Sequence, residues 1–318
     1  MTRFVRVLQL SCIAAATASA QQPAKPPAVP QNAPVRGAVH VEMKNGLFHV
    51  LDDVTVRVPK MDGWMVPRDS QTVSLDEVQS FTLQIVSGET RLRDDQLARL
   101  ANEYVLPHSE SPLSDLQLHF EDGMIVVKGH LKKKLGLPFE GKATVSLAGA
   151  SRIRLHFTDI TVAGIIKKGV LDALGIKLSK VAQPKRGWKY QVQDDDIILP
   201  LLSIFPPPKV LGKLTSVRIE GQELVQVFGP SGSSVEPPAF NAPNYIYFRG
   251  GRMRFGKLTM EDVDLELVDK DPSNYFDFSL AHYHEQLEAG YSRSLADMGL
   301  IVFVPDYEKV AGHKHKED

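Results

Sequence analysis

The stretch GRMRFGKL, residues 251–258, spaces two glycines and a lysine as a phosphate-cradling loop does. Leu258 stands where such a loop needs Ser or Thr to hold Mg²⁺, and β-rich sequence follows where a helix is required. A hairpin is the better reading. GPSGSS, 229–234, sets serines among glycines without the full spacing of a nucleophile elbow or a following helix, and reads as a linker. His282 and His284 in HYHEQ are two apart, so a helix points them to different sides, and the two-His, four-apart metalloprotease pattern is absent. His313 and His315 lie in a tail with no framework to fix ligand geometry.

Carboxylates offer cation chemistry at two places. Asp194, Asp195 and Asp196 form a run, while Asp262, Asp264, Glu266, Asp269 and Asp271 recur at strand-like intervals. Neither has the loop glycine and terminal glutamate of an EF-hand, and the second set alternates as a solvated strand face would. No Ser-His-Asp set can be assembled from the sequence. Neither catalytic residues, nor a metal site, nor a cofactor is therefore expected.

The elements that would position any site begin after an export signal. Arg3 and Arg6 precede an apolar run ending at Ala18-Ser19-Ala20, the small-x-small pattern of a cleavage site, so residues 1–20 read as a signal peptide. The expected address is periplasmic in a Gram-negative cell and secreted otherwise. Cys12 is the only cysteine; it sits inside the apolar run with Gln9 where a lipobox wants Leu, which argues against lipidation. Residues 21–37 read as a disordered Pro-rich tether, 38–229 as the main domain, 230–244 as a linker, 245–307 as a hairpin-plus-helix segment and 308–318 as a disordered tail. With 43% hydrophobic residues, 24% charged and a net charge of −1 over 318 residues, the chain is globular and has no global electrostatic case for nucleic acid.

Dipeptides that favour φ > 0 suggest three hairpins. Asn45-Gly46 would pair Met43 with Phe48 and Val41 with Val50. Asp122-Gly123 would pair Phe120 with Ile125 and Leu118 with Val127, and Gly250-Gly251 would pair Phe248 with Met253 and Ile246 with Phe255. Amphipathic helices are expected at 93–105, with Leu97, Leu100, Ala101 and Tyr104 on one stripe and Asp94 as N-cap, at 164–181, and at 280–291. Short hairpins and alternating strands predict an antiparallel sheet with few helices. Basic-apolar loops, Lys132, Lys133 and Lys134 beside Leu135 and later Lys167, Lys168 and Trp188, suit an anionic membrane surface. The Pro-broken apolar stretch 198–212 is either a buried loop or a rim.

From about residue 80 to 229, the order FTLQIV, RDDQLARLANEYV, LSDLQLHFEDGMIVVKG, ATVSLAGASRIRLHFTDITVAG, VLDALGIKL and GKLTSVRIEGQELV resembles bacterial phospholipid-binding proteins of the LmeA-like type, and more loosely the tubular lipid-binding (TULIP) fold. The resemblance implies an α+β, β-rich fold: a strongly curved antiparallel sheet wrapped around one or two amphipathic helices, here with extra hairpins. It also implies an apolar groove for acyl chains and no catalytic residues. The expected lipid-contacting residues are Leu97, Leu100, Tyr104, Leu118, Phe120, Ile125, Val127, Leu155, Phe157, Leu171 and Leu174. The expected function is an exported, non-enzymatic lipid binder whose partners are phospholipid or another acyl-chain ligand and a membrane surface. Two alternatives stand beside it: an envelope assembly protein binding a protein partner, and a hydrolase.

Overall fold

The computed structural model describes residues 34–69, 71–106, 113–131, 136–163, 166–167, 190–230, 240, 242–296 and 299–314. In chain order the elements are β1 (Val39–Leu51), β2 (Val54–Pro67), β3 (Val73–Ser74), β4 (Phe81–Arg93), α1 (Asp94–Leu100), β5 (Leu113–Glu121), β6 (Met124–Leu131), β7 (Leu137–Leu147), β8 (Ile153–Val162) and β9 (Ile166–Lys167). They continue with β10 (Gln191–Gln193), β11 (Asp196–Leu199), β12 (Lys209–Gly212), β13 (Leu214–Glu220), β14 (Glu223–Phe228), β15 (Tyr245–Phe255), β16 (Leu258–Asp269), β17 (Phe276–Ser279), α2 (Tyr283–Glu288), β18 (Tyr291–Ser294), β19 (Leu300–Val304) and α3 (Tyr307–Lys314). Strands dominate, and most pairs are antiparallel.

They form two sheets. The larger, of 12 strands, runs β13-β14-β4-β2-β1-β15-β16-β19-β18, with β12 attached to β4, β17 to β1 and β3 to β15. The smaller, of seven, runs β10-β11-β8-β7-β6-β5, with β9 on β8. The strands after residue 244 thus join the same sheet as β1, through pairs such as His40 with Arg249 and Lys44 with Tyr245. One continuous apolar cluster links the inward faces of both sheets, from Val41 and Phe248 to Ile125 and Phe157.

Of the three expected hairpins, only Asp122-Gly123 turns the chain, with Phe120 opposite Ile125 and Leu118 opposite Val127. Asn45-Gly46 and Gly250-Gly251 lie inside unbroken strands, and the turns fall instead at Asp52-Asp53 and Gly256-Lys257. At each interior site the strand exchanges its edge partner. β1 passes from antiparallel β15 at Lys44 to parallel β17 at Gly46, and β15 passes from β1 at Arg249 to parallel β3 at Met253. The positive φ of Asn45 (52°), and of Gly250 and Gly251 (69° and 64°), kinks the strand at the exchange. Asn45 also ties the junction down, its Nδ2 donating to the Pro243 carbonyl and to Asn244 Oδ1 at 3.2 Å each.

All three helical expectations change as well. The first helix is α-helical only through Leu100, then continues as a π-helical turn over Ala101–Val105. Arg93, not Asp94, precedes its first residue, and no side chain caps it. The helix expected at 280–291 is only Tyr283–Glu288. At the start of the expected 164–181 helix, Ile166–Lys167 instead pair with Val162 and Thr161 as a strand. The remainder of that segment lies outside the described residues.

Gly251 leaves no room for a side chain, because a Cβ there would sit 2.2 Å from the Ala38 carbonyl oxygen at a φ of +64°. A Cβ on Gly123 meets nothing within 4 Å. Gly251→Ala is expected to lower unfolding free energy by about 2 kcal/mol or more, and Gly123→Ala by about 1 kcal/mol, both read by urea titration.

Candidate functional site

Inward-facing residues of the larger sheet leave a cavity of about 270 Å³. β1 contributes Val41, Met43, Phe48 and Val50, and β2 contributes Val56, Val58, Met61 and Met65. β4 adds Phe81, Leu83 and Ile85, while Ile246, Phe248 and Phe278 come from the C-terminal strands. The Pro-rich stretch closes one side: Leu202, Phe205, Pro206, Pro207, Pro208 and Val210 all line it. Prolines cannot donate to a ladder, so this segment crosses the cavity as a loop before Lys209–Gly212 pair with Thr82–Ile85 at the edge of β4. The stretch that the sequence left as buried loop or rim is thus a wall of the cavity.

Polar side chains interrupt this lining at two places. Gln226 and Thr90 face each other across β14 and β4, and Gln226 is 1% exposed with neither amide atom hydrogen-bonded. On the other arm of the sheet are His49, Asp52 and Ser279. His49 Nε2 lies 2.6 Å from Asp277 Oδ1, and its Nδ1 lies 2.9 Å from the Asp52 carbonyl. A carboxylate and a carbonyl only accept, so this arrangement calls for a doubly protonated ring. Burial works against that charge, but the hydrogen bond and negative charge of Asp277 outweigh it and hold the His49 pKa above the usual histidine value. Ser279 pairs with His49 in the β1-β17 register, yet both histidine nitrogens are engaged elsewhere, so that ring has no free nitrogen to accept the serine proton.

The opposite face of the same strands is polar and buried. His40 Nε2 meets Asp62 Oδ2 at 2.6 Å, Tyr245 donates to Glu42 at 2.8 Å, and Tyr247 donates to Asp264 at 3.0 Å. Glu266 is 3% exposed and Asp269 is likewise buried, which corrects the reading of this carboxylate series as a solvated strand face in its middle, while Asp262 and Asp271 at its ends are exposed as expected. Burial first, then the charge of Asp264, push Glu266 up to about 8, against an opposing hydrogen bond from the Phe240 backbone. Farther along the sheet the same side is an ordinary half-exposed ion ladder, with Arg57 and Arg91 on Glu223 and Arg91 also on Glu89.

The expected lipid-contacting residues gather elsewhere. Leu100, Phe120, Ile125, Val127 and Phe157 are buried in the continuous core, and Leu97, Tyr104, Leu118 and Leu155 pack against it. None of these nine reaches the cavity wall. Leu171 and Leu174 lie outside the described residues, as do Lys132, Lys133, Lys134, Lys168 and Trp188, and Lys167 is described only as part of β9. Of the cavity's residues, the Pro-rich segment, the β1, β4 and β15 apolar positions, and Val56 and Val58 of β2 in the alternating DVTVRV were visible as features of the sequence. Gln226 could have been found as the one polar residue on the inward positions Leu224, Gln226 and Phe228. Among the described residues, no group of three or more His, Cys, Asp or Glu side chains could hold a metal ion. Comparison with family models, curated proteins and solved structures returned no match.

Glu266, on the face turned away from the cavity, gives the fold a pH signature. The folded protein keeps its proton up to about pH 8, whereas the ordinary carboxyl releases it near 4.5. The folded state therefore binds more protons between those values, and stability falls as pH rises. The contribution is full below the lower value and lost as pH passes the upper one. Glu266→Gln is expected to flatten the pH dependence of the urea midpoint across this window, by up to about 1 kcal/mol per pH unit.

Proposed function

We propose that this protein is an exported, non-enzymatic carrier that shelters a single acyl chain in the cavity of its larger sheet. The observation that supports the reading is the cavity itself, about 270 Å³ and walled by Val, Leu, Ile, Met, Phe and Pro side chains. That volume is close to the lower bound of about 300 Å³ for small-molecule pockets, which favours one chain over two. The driving force is desolvation: each methylene taken from water contributes about 0.8 kcal/mol, and a saturated chain asks nothing of the wall but apolar contact.

In this reading the smaller sheet and α1 are the curved sheet-and-helix part of a TULIP-like architecture, and the basic and aromatic residues Lys132, Lys133, Lys134, Lys167, Lys168 and Trp188 contact anionic headgroups. The destination is the periplasm or the cell exterior. A packed envelope scaffold has no use for an apolar cavity of this size, and the engagement of both His49 nitrogens weighs against a Ser279-based hydrolase.

Purified protein examined by native mass spectrometry should carry lipid, and the delipidated form should bind palmitate at micromolar concentration. Val210→Trp, placed on the half-buried edge strand of the wall, should weaken palmitate binding about tenfold. Recovery without lipid together with no palmitate binding would overturn the carrier reading.

A further inference from the structure

We infer that Gln226 recognises an uncharged hydroxyl on the buried section of the chain, so that the preferred ligand is a hydroxylated acyl chain. The inference rests on the carrier reading and sharpens it. β14 places Leu224, Gln226 and Phe228 on one inward face, opposite Leu92, Thr90 and Gly88 of β4. An apolar residue at 226 would complete the pattern. Instead the position holds an amide that is 1% exposed and has no hydrogen-bond partner at either its nitrogen or its oxygen. A buried amide left this way is destabilising, so its presence on an apolar wall needs a ligand to account for it.

The chemistry of the missing partner follows from the amide. Its NH₂ requires an acceptor and its oxygen requires a donor, whichever way the group is turned. A hydroxyl supplies both. A carboxylate would satisfy only the NH₂ and would need a cation nearby. Among the lining residues the one such group is His49, whose charge is already matched by Asp277. An unfunctionalised hydrocarbon would leave the amide bare. Water can offer the same pair of bonds with Thr90 as a further partner, and a chain hydroxyl displaces it by reproducing those bonds. The acid end of the chain then belongs at the other arm, where Asp52 is largely exposed and the cavity meets solvent.

The test compares matched chains on the delipidated full-length protein by calorimetry: palmitate against ω-hydroxypalmitate, and oleate against ricinoleate. The native protein should bind at least one hydroxylated member about tenfold more tightly than its plain counterpart, one well-made hydrogen-bonded contact's worth. Gln226→Leu should erase that preference while retaining the plain chains, and should raise the thermal midpoint of the empty protein because an unsatisfied amide is gone. Gln226→Met, similar in length, guards against a packing artefact and should behave as the leucine variant does. Equal binding of plain and hydroxylated chains to the native protein would overturn this inference and leave the carrier reading standing, as would a preference that survives both variants. Binding of none of the four chains would overturn both.

Discussion

The long strands of the larger sheet must keep one apolar side facing inward while their edge partners change, and the rest of the structure depends on how they do it. On β1 the inward residues are Val39, Val41 and Met43 before Asn45, then Gly46 and Phe48 after it. On β2, directly opposite, they are Val58 and Val56 below Pro59, then Met61, Gly63 and Met65 above it. Both strands change parity at facing positions, so their pairing register is undisturbed while the side chains swap sides together. The same event recurs on β15 and β16, where Gly251 faces Asp262, each with positive φ. A strand has a side-chain period of two, and without these paired flips half of each long strand would turn its apolar residues outward.

This parity rule also explains what could be read from the sequence and what could not. A two-residue hairpin brings residues of opposite parity onto one face, and so does a positive-φ kink in a strand that continues. Met43 and Phe48 share a face either way. The hydrophobic pattern around Asn45-Gly46 and Gly250-Gly251 is therefore identical for a turn and for a kink, and only the identity of the edge partner distinguishes them. Asp122-Gly123 was legible because the strands on either side, β5 and β6, have no partner to exchange there. Local signals found the strand-rich, antiparallel character and the first α-helical turns. They could not find the cavity, since its walls come from β1, β2, β4, β14, β15, β17 and the Pro-rich loop, most of which become neighbours only after the sheet has assembled.

The two faces of the central strands divide the labour of the molecule. Inward, apolar side chains wall the cavity, interrupted by Gln226 and Thr90 on one arm and by the His49 cluster on the other. Outward, His40, Glu42, Asp62, Tyr245, Tyr247 and Glu266 are buried beside the half-buried Asp264, and burial raises the pKa values of Glu42 and Glu266, the latter to about 8, which relieves part of the repulsion that so many acidic groups would otherwise cause. Such a network fixes strand register on the side where hydrophobic contacts are scarce, because each hydrogen bond is satisfied in one alignment only.

The exchange of partners along β1 has a consequence for the order of events during folding. Its antiparallel neighbour β15 and its parallel neighbour β17 lie about two hundred residues downstream, so the hairpin of β1 and β2 waits with one edge unpaired until nearly the whole chain is present. Contacts of such long range make folding slow, and an unpaired edge is open to association with other chains in the interval. The vulnerable period ends only when the last quarter of the sequence arrives.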